Sequence, residues 1–200
     1  MPTRELSVRQ EPVGMIGGER SVALPKPSSD KVRYLVLESR QNPPVVRSLY
    51  AQADNPKWVH LFAETDWQQY LAESPVVLEA NQSSPEYQWA LKGLKEGRLT
   101  GLILESSEGL ESVTKWLRAR LKVRFDGQRQ GLLRFYDPDV WHRLSPVVQD
   151  QADVVERVIY WHGDSGEARW LTTEKPSPFN MFPVPTLNES QWQALNIVTA

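Results

Sequence analysis

The sequence predicts an α/β fold, a single domain in which helices flank a mixed parallel and antiparallel sheet. Three observations lead to this prediction. Short apolar runs alternate along the chain with segments of helical periodicity, a pattern typical of strands joined by crossover helices. Three of these runs share one pattern, an apolar strand that ends in a glutamate. An Asp126-Gly127 pair lies between two alternating segments, where it predicts a hairpin with antiparallel strands.

The first half of the globular part is predicted to contain three strands, each followed by a helix. The predicted strands span residues 32–38, 58–62 and 75–79. The helix starts are recognised from an Asn42-Pro43 pair, from a capping box of Thr65 and Gln68, and from Ser84 or Pro85. Gly97 marks the end of the third helix.

The most consistent local pattern covers residues 100–141. A strand over 101–105 precedes a helix, and the strand over 122–125 alternates charged and apolar residues. The return strand of the hairpin is predicted over 132–136. The next helix begins at Asp137-Pro138, because an aspartate caps a helix and a proline is tolerated at its first position.

The last quarter of the chain predicts a helix over 147–158 and a hairpin from strands 158–162 and 169–173. Asn188 with Gln191 predicts a capped final helix. We therefore expect a flexible extension over 1–30, an α/β domain over 31–175, and a proline-rich and aromatic tail over 176–200. This tail packs either on its own domain, the interpretation that we favour, or on a partner.

Composition limits the possible functions. Hydrophobic residues make up 40% of the chain, charged residues 24%, and the net charge is −2, so nothing favours nucleic acid or a membrane. The chain contains no cysteine, which excludes disulfides, a thiol nucleophile and thiolate metal ligands. No stretch reaches transmembrane length and no signal-peptide pattern is visible, which is consistent with the cytoplasm.

The main catalytic candidates are the glutamates that end the three related strands, Glu38, Glu79 and Glu105. In a parallel sheet their carboxylates would converge, where they could hold a divalent metal for a small metal-assisted hydrolase. Alternatively, each glutamate marks the point where a buried strand meets water and pairs with an arginine. We favour the second interpretation, because no aspartate-rich, histidine-containing or glycine-loop motif accompanies them.

Other chemical signals are weak. The three histidines, His60, His142 and His162, have no metal-ligand spacing, and neither a nucleophilic serine elbow nor a phosphate-binding loop is present. The basic residues between 115 and 134 fit either nucleic-acid binding or a solvated helix end and strand face, and the acidic net charge favours the latter. We therefore expect no enzyme activity and no cofactor.

Four segments in a fixed order carry a family resemblance: YLVLE at 34–38, SPVVLE at 74–79, GLILES at 101–106 and LRFYDP at 133–138. In this order they resemble the type VI secretion effector-chaperone (adaptor) family, long catalogued as a domain of unknown function. The resemblance covers residues 32–150, and RFYDP after a hairpin is its most specific part.

The resemblance implies a bacterial cytoplasmic protein that binds one toxic type VI effector and helps to load it onto the VgrG spike. The matching positions would determine fold and surface rather than catalysis: Glu105, Arg134, Phe135, Tyr136, Asp137 and Pro138. Arg134 and Asp137 are expected to form an internal charged brace. Effector contacts are instead expected from aromatic anchors in the tail, Phe179, Phe182 and Trp192, because buried aromatic residues dominate many interfaces.

Overall fold

Six strands form one sheet at the centre of the molecule. The computed structural model describes residues 23–27, 30–39, 44–125, 129–145, 149–150, 154–164, 166–177 and 185–196. The strands of the sheet lie in the spatial order β2-β3-β1-β4-β8-β9. Their bounds are β1 Val32–Ser39, β2 Lys57–His60, β3 Val76–Glu79, β4 Leu99–Ser106, β8 Arg157–His162 and β9 Arg169–Glu174.

The prediction of a mixed parallel and antiparallel sheet is wrong, because every neighbouring pair in this sheet is antiparallel. β3 and β4 do run in the same direction, as the helix between them suggested, but β1 lies between them and runs the opposite way. β1 and β2 are likewise separated by β3. The β1–β2 connection thus passes over β3, and the β3–β4 connection passes over β1. Local sequence does not encode which strand lies between two others.

Helices cover both faces of the sheet. The helices are α1 Val45–Tyr50, α2 Pro85–Lys95, α3 Leu110–Arg118, α4 Pro138–Leu144 and α5 Glu189–Asn196, with a 3₁₀ segment at Gln68–Glu73. Along β1, Leu35 and Leu37 belong to the core shared with α1 and α2, whereas Tyr34 and Val36 belong to the core shared with α3 and α4. Every residue of β4 is buried. None of the helices in the described ranges is long and apolar enough to cross a membrane.

Two small sheets lie outside the central one. β5 (Lys122–Phe125) pairs with β6 (Arg129–Leu132), and β7 (Gln149–Asp150) pairs with β10 (Pro176–Ser177). The Asp126-Gly127 turn lies outside the described residues. The two strands beside it pair antiparallel, as a hairpin requires, but the return strand is Arg129–Leu132 and not the predicted 132–136. The hairpin is thus a separate sheet and does not extend the central one.

Several local signals correspond to real element ends. The Ser84 side chain accepts a hydrogen bond from the Tyr87 amide at the start of α2, and Gly97 follows that helix with a φ of +69°. The hairpin of β8 and β9 is also confirmed. The predicted helix over 147–158 is wrong in its described part, where β7 pairs with β10 and residue 157 already begins β8.

Candidate protein-binding site

The RFYDP motif forms a tight corner between β6 and α4. The predicted return strand over 132–136 is wrong beyond Leu132, where β6 ends. The Asp137 amide instead donates to the Arg134 carbonyl oxygen at 2.9 Å and closes a turn. This turn lets Phe135 and Tyr136, which would point to opposite faces of a strand, both enter the same core. The Asp137 carboxylate then accepts hydrogen bonds from the amides of residues 139 and 140 at the start of α4.

Arg134 does not form the expected brace with Asp137. Its guanidinium pairs with the carboxylate of Glu38 at the end of β1 and lies 5.8 Å from the centroid of the Tyr136 ring. Burial raises the pKa of Tyr136, and the Glu38 charge raises it further. The Arg134 guanidinium therefore links the RFYDP corner to the end of β1 in the central sheet.

The three strand-end glutamates do not converge. Because β1 is antiparallel to β3 and β4, Glu38 lies opposite Thr100 at one end of the sheet, whereas Glu79 and Glu105 lie at the other. Glu79 pairs with Lys57 at 3.2 Å near the surface. Each glutamate is matched to a basic residue, so the prediction of a shared carboxylate site is wrong. Within the described ranges, no group of three or more His, Cys, Asp or Glu side chains could hold a metal.

Glu105 lies at the centre of a buried charged cluster. We call Arg33, Tyr87, Glu105 and Arg157 the arginine cluster. The side chains of Arg33 and Glu105 are each only 1% exposed. Arg33 donates to Glu105 Oε1 through Nε at 2.8 Å and Nη2 at 2.7 Å, and through Nη1 to the Tyr87 hydroxyl oxygen at 2.7 Å. Arg157 donates to Glu105 Oε2 at 3.1 Å, so both carboxylate oxygens have a cationic donor.

Residues 23–27, which we call the strap, lie against this cluster. The Pro25 carbonyl oxygen accepts a hydrogen bond from Arg33 Nη2 at 2.6 Å, and the Lys26 carbonyl oxygen accepts one from Arg157 Nη1 at 3.3 Å. Leu24 is half-buried and packs against the core that α1 and α2 cover. The strap thus supplies backbone acceptors to two arginines whose side chains come from β1 and β8.

Many of the basic residues between 115 and 134 are engaged within the chain. Arg118 pairs with Glu64, and Lys122 donates to Asp66 at 2.7 Å. Arg120 is buried and its guanidinium lies 3.7 Å from the centroid of the Trp116 ring. These contacts attach α3 and β5 to the segment that follows β2.

The described part of the C-terminal tail packs on the domain. The amide of Arg124 donates to the Pro185 carbonyl oxygen at 2.8 Å and its carbonyl accepts from the Leu187 amide at 3.0 Å, so residues 185–187 lie along β5. Asn188 and Gln191 cap α5 reciprocally, as predicted. Trp192 stacks on Phe125 at 5.1 Å between ring centroids. Phe179 and Phe182 lie outside the described residues, and contact of the three aromatic residues with an effector stays a prediction.

The structure brings together two histidines that sequence spacing treats as unrelated. His142 on α4 stacks on His162 of β8 at 4.0 Å between ring centroids. Nδ1 of His142 lies 3.2 Å from the Tyr160 hydroxyl, and Nδ1 of His162 lies 3.1 Å from Asp139. Burial lowers the pKa of His142, and the neighbouring His162 lowers it further. His142 therefore resists protonation. The stacked pair joins α4 to the β8–β9 hairpin.

Sequence reasoning missed the two arginines of the cluster. Arg33 is a charged residue in an otherwise apolar strand, and such a residue needs a buried partner. That partner is Glu105, directly opposite in the β1–β4 register, with Arg157 opposite it on the other side. An isolated charge inside an apolar strand was therefore a usable signal, but its partner became visible only once the strand order was known.

These features define an antiparallel α/β domain with a covered sheet, a buried arginine cluster and terminal segments that dock on its surface. The chain belongs to the family described as Domain of unknown function (DUF4123), whose model matches residues 33–153, more than half of its 200 residues. No curated protein and no solved structure matches the chain. The matched region contains the RFYDP corner and both partners of the Arg33–Glu105 pair.

Proposed function

We propose that the chain is a cytoplasmic adaptor that binds one type VI secretion effector and helps to load it onto the VgrG spike. The observation that carries this proposal is the ordered set of four motifs, which resembles the type VI effector-chaperone family. Membership of the matched domain family is consistent with that resemblance, because the adaptor family has long been catalogued under an unknown-function description. The proposal assigns no catalytic step and no cofactor to the chain.

The position of the motifs supports a binding scaffold. Phe135 and Tyr136 are almost fully buried, Asp137 caps α4, and Glu105 is sealed in the arginine cluster. Residues that are buried or that cap a helix stabilise the fold, and they are poorly placed to contact a variable partner. Specificity for one effector would then come from the surface and the terminal segments, which differ most readily without disturbing the core.

The terminal segments have a form suited to recognition. The strap and residues 185–187 both use backbone groups to dock on the framework, and α5 adds the stacked Trp192. Trp192 is half-buried, so part of its ring is available to a partner. Aromatic residues of this kind provide a large share of the binding energy at many protein interfaces.

The geometry does not favour the alternative of a metal-assisted hydrolase. That hypothesis required the carboxylates of Glu38, Glu79 and Glu105 to share one site, and the strand directions separate them. Each is also paired with a basic side chain.

Affinity purification of the tagged full-length chain from its own bacterium tests the proposal. We expect one large effector, encoded near a gene for VgrG, to co-purify in a fixed ratio. A variant changed at a surface ion pair, Glu79→Gln, should retain the effector. Purification of the folded chain without any effector, from cells that express the secretion system, would contradict the proposal.

A further inference from the structure

Among the described residues, the arginine cluster contains one buried carboxylate, that of Glu105. Arg33 and Arg157 together carry two positive charges, and Glu105, at 1% exposure, is the acid that both contact. Arg157 also pairs with Glu174 at 2.7 Å, but that carboxylate is 60% exposed and is therefore screened by water. Arg33 Nη2 and Arg157 Nη1, which both donate to Glu105, also donate to the neutral carbonyl oxygens of the strap.

A neutral carbonyl is a weaker acceptor for a guanidinium than a carboxylate. A guanidinium donates a charge-assisted hydrogen bond to either acceptor, but only the carboxylate adds the Coulomb attraction of an opposite charge. One nitrogen of each arginine points at consecutive carbonyls, those of Pro25 and Lys26, so the two donors lie close together. The two oxygens of a single carboxylate can accept from two such donors, and charge complementarity therefore favours an acidic group where the strap now lies.

The strap is attached by contacts that can be exchanged. Its ends at Ala23 and Pro27 and the Lys26 side chain are exposed, and its apolar anchor Leu24 is only half-buried. Segments with few buried apolar contacts open locally at a small fraction of the cost of global unfolding. An extended segment of another protein that displaced the strap would replace this anchor and the two hydrogen bonds to arginine.

We propose that the arginine pair beneath the strap is a docking site for an extended, carboxylate-bearing segment of the effector, and that the strap occupies this site in the free protein. The segment displaces residues 23–27 and places its carboxylate against Arg33 Nη2 and Arg157 Nη1. This inference rests on the proposed adaptor function and specifies that the effector segment bound by the adaptor is extended and carries a carboxylate.

Two matched peptides test the exchange. Both have the sequence of residues 20–25, RSVALP, and carry a fluorescent label at the amino end; one ends in a free carboxylate and the other in an amide. Their binding to the full-length chain is measured by fluorescence anisotropy. The Leu24→Ser variant weakens the strap's own anchor, and far-UV circular dichroism verifies that each variant is folded.

We expect Leu24→Ser to bind the carboxylate peptide about fivefold more tightly than the amide peptide, since about 1 kcal/mol separates charged from neutral acceptors. The wild-type chain, whose strap competes, should bind both peptides more weakly than Leu24→Ser. Adding Arg157→Gln should abolish the preference. If the glutamine variant does not fold, Arg157→Met, which keeps the length of the side chain and removes its charge, takes its place. Arg98→Gln, changed at an exposed ion pair with Glu96, should leave the preference intact.

Equal binding of the two peptides, or no binding to the folded Leu24→Ser chain, would overturn the docking site. Effector co-purification with the wild-type chain is measured alongside and separates the two proposals. If the peptides fail while the effector still co-purifies, strap exchange is wrong and the adaptor function stands. If the peptides show the preference while no effector ever co-purifies, the site binds carboxylates and the adaptor function is wrong.

Discussion

Substitution of Glu105 by glutamine tests the arginine cluster directly. The change keeps the size of the side chain but removes the negative charge that neutralises Arg33, which is 1% exposed. The amide also offers one acceptor oxygen where the carboxylate offered two, so Arg33 and Arg157 compete for it. Breaking a buried ion pair from one side leaves an uncompensated charge and typically costs about 3–5 kcal/mol.

Glu79→Gln is the matched control, because the same Leu-Glu ending lies on β3, another strand of the same sheet. Its partner Lys57 is 72% exposed and Glu79 is 28% exposed, so the pair is screened by water. Loss of such a surface pair costs at most about 1 kcal/mol. The two variants therefore make the same chemical change in two environments, and the difference between them measures the effect of burial.

Urea unfolding followed by circular dichroism gives both free energies. With a slope of about 2 kcal/mol/M, the expected loss of about 4 kcal/mol moves the Glu105→Gln midpoint down by about 2 M. The Glu79→Gln midpoint should move by less than about 0.5 M. If the two midpoints agree within that interval, Glu105 is not the neutralising centre that the geometry indicates, and the account of the cluster fails.

Three further predictions concern packing, pH and the tail. Gly101→Ala would place a methyl group 1.8 Å from a backbone oxygen of β1, so we expect a loss above about 3 kcal/mol or failure to fold, whereas Gly109→Ala, with no atom within 4 Å, should change stability by a few tenths. The pKa of His142 is lowered on folding from 6.5, so the unfolded chain binds the proton more readily. The unfolding free energy should therefore fall as pH drops through 6.5, and His142→Gln should reduce that slope. Trp192→Ala should accelerate hydrogen exchange about fivefold at the amides that join the tail to β5, because it removes a stacked aromatic contact worth about 1 kcal/mol.

Each of these predictions has a clear opposing result. Equal stability of the two alanine variants would mean that β1 and β4 separate easily. A pH slope that persists after His142→Gln would assign the proton uptake to another group. Unchanged exchange in Trp192→Ala would show that the tail is held by contacts other than the ring stack.

Much of the local structure follows from the sequence, because its causes lie within a few residues. The cap at Ser84, the reciprocal pair of Asn188 and Gln191, and the Asp137 start of α4 are all recognisable from neighbouring side chains. The apolar runs of β1, β3 and β4 identify buried strands in the same way. These elements were predictable because capping and periodicity are short-range effects.

The neighbours of each strand could not be predicted, and the site depends on them. The insertion of β1 between β3 and β4 reverses the end at which Glu38 lies, which removes the convergent carboxylates and brings Arg33 opposite Glu105. The stacking of His142 on His162 joins residues twenty positions apart through α4 and β8. These contacts depend on strand order, which is decided by packing over the whole chain.

Delivery of the effector by living cells tests the central claim most directly. In a bacterium that carries this chain, deletion of its gene should abolish intoxication of neighbouring cells by the one partnered effector. Secretion of VgrG and the action of other effectors should continue, and a plasmid copy of the wild-type chain should restore delivery. Undiminished delivery of every effector after the deletion would contradict the adaptor function.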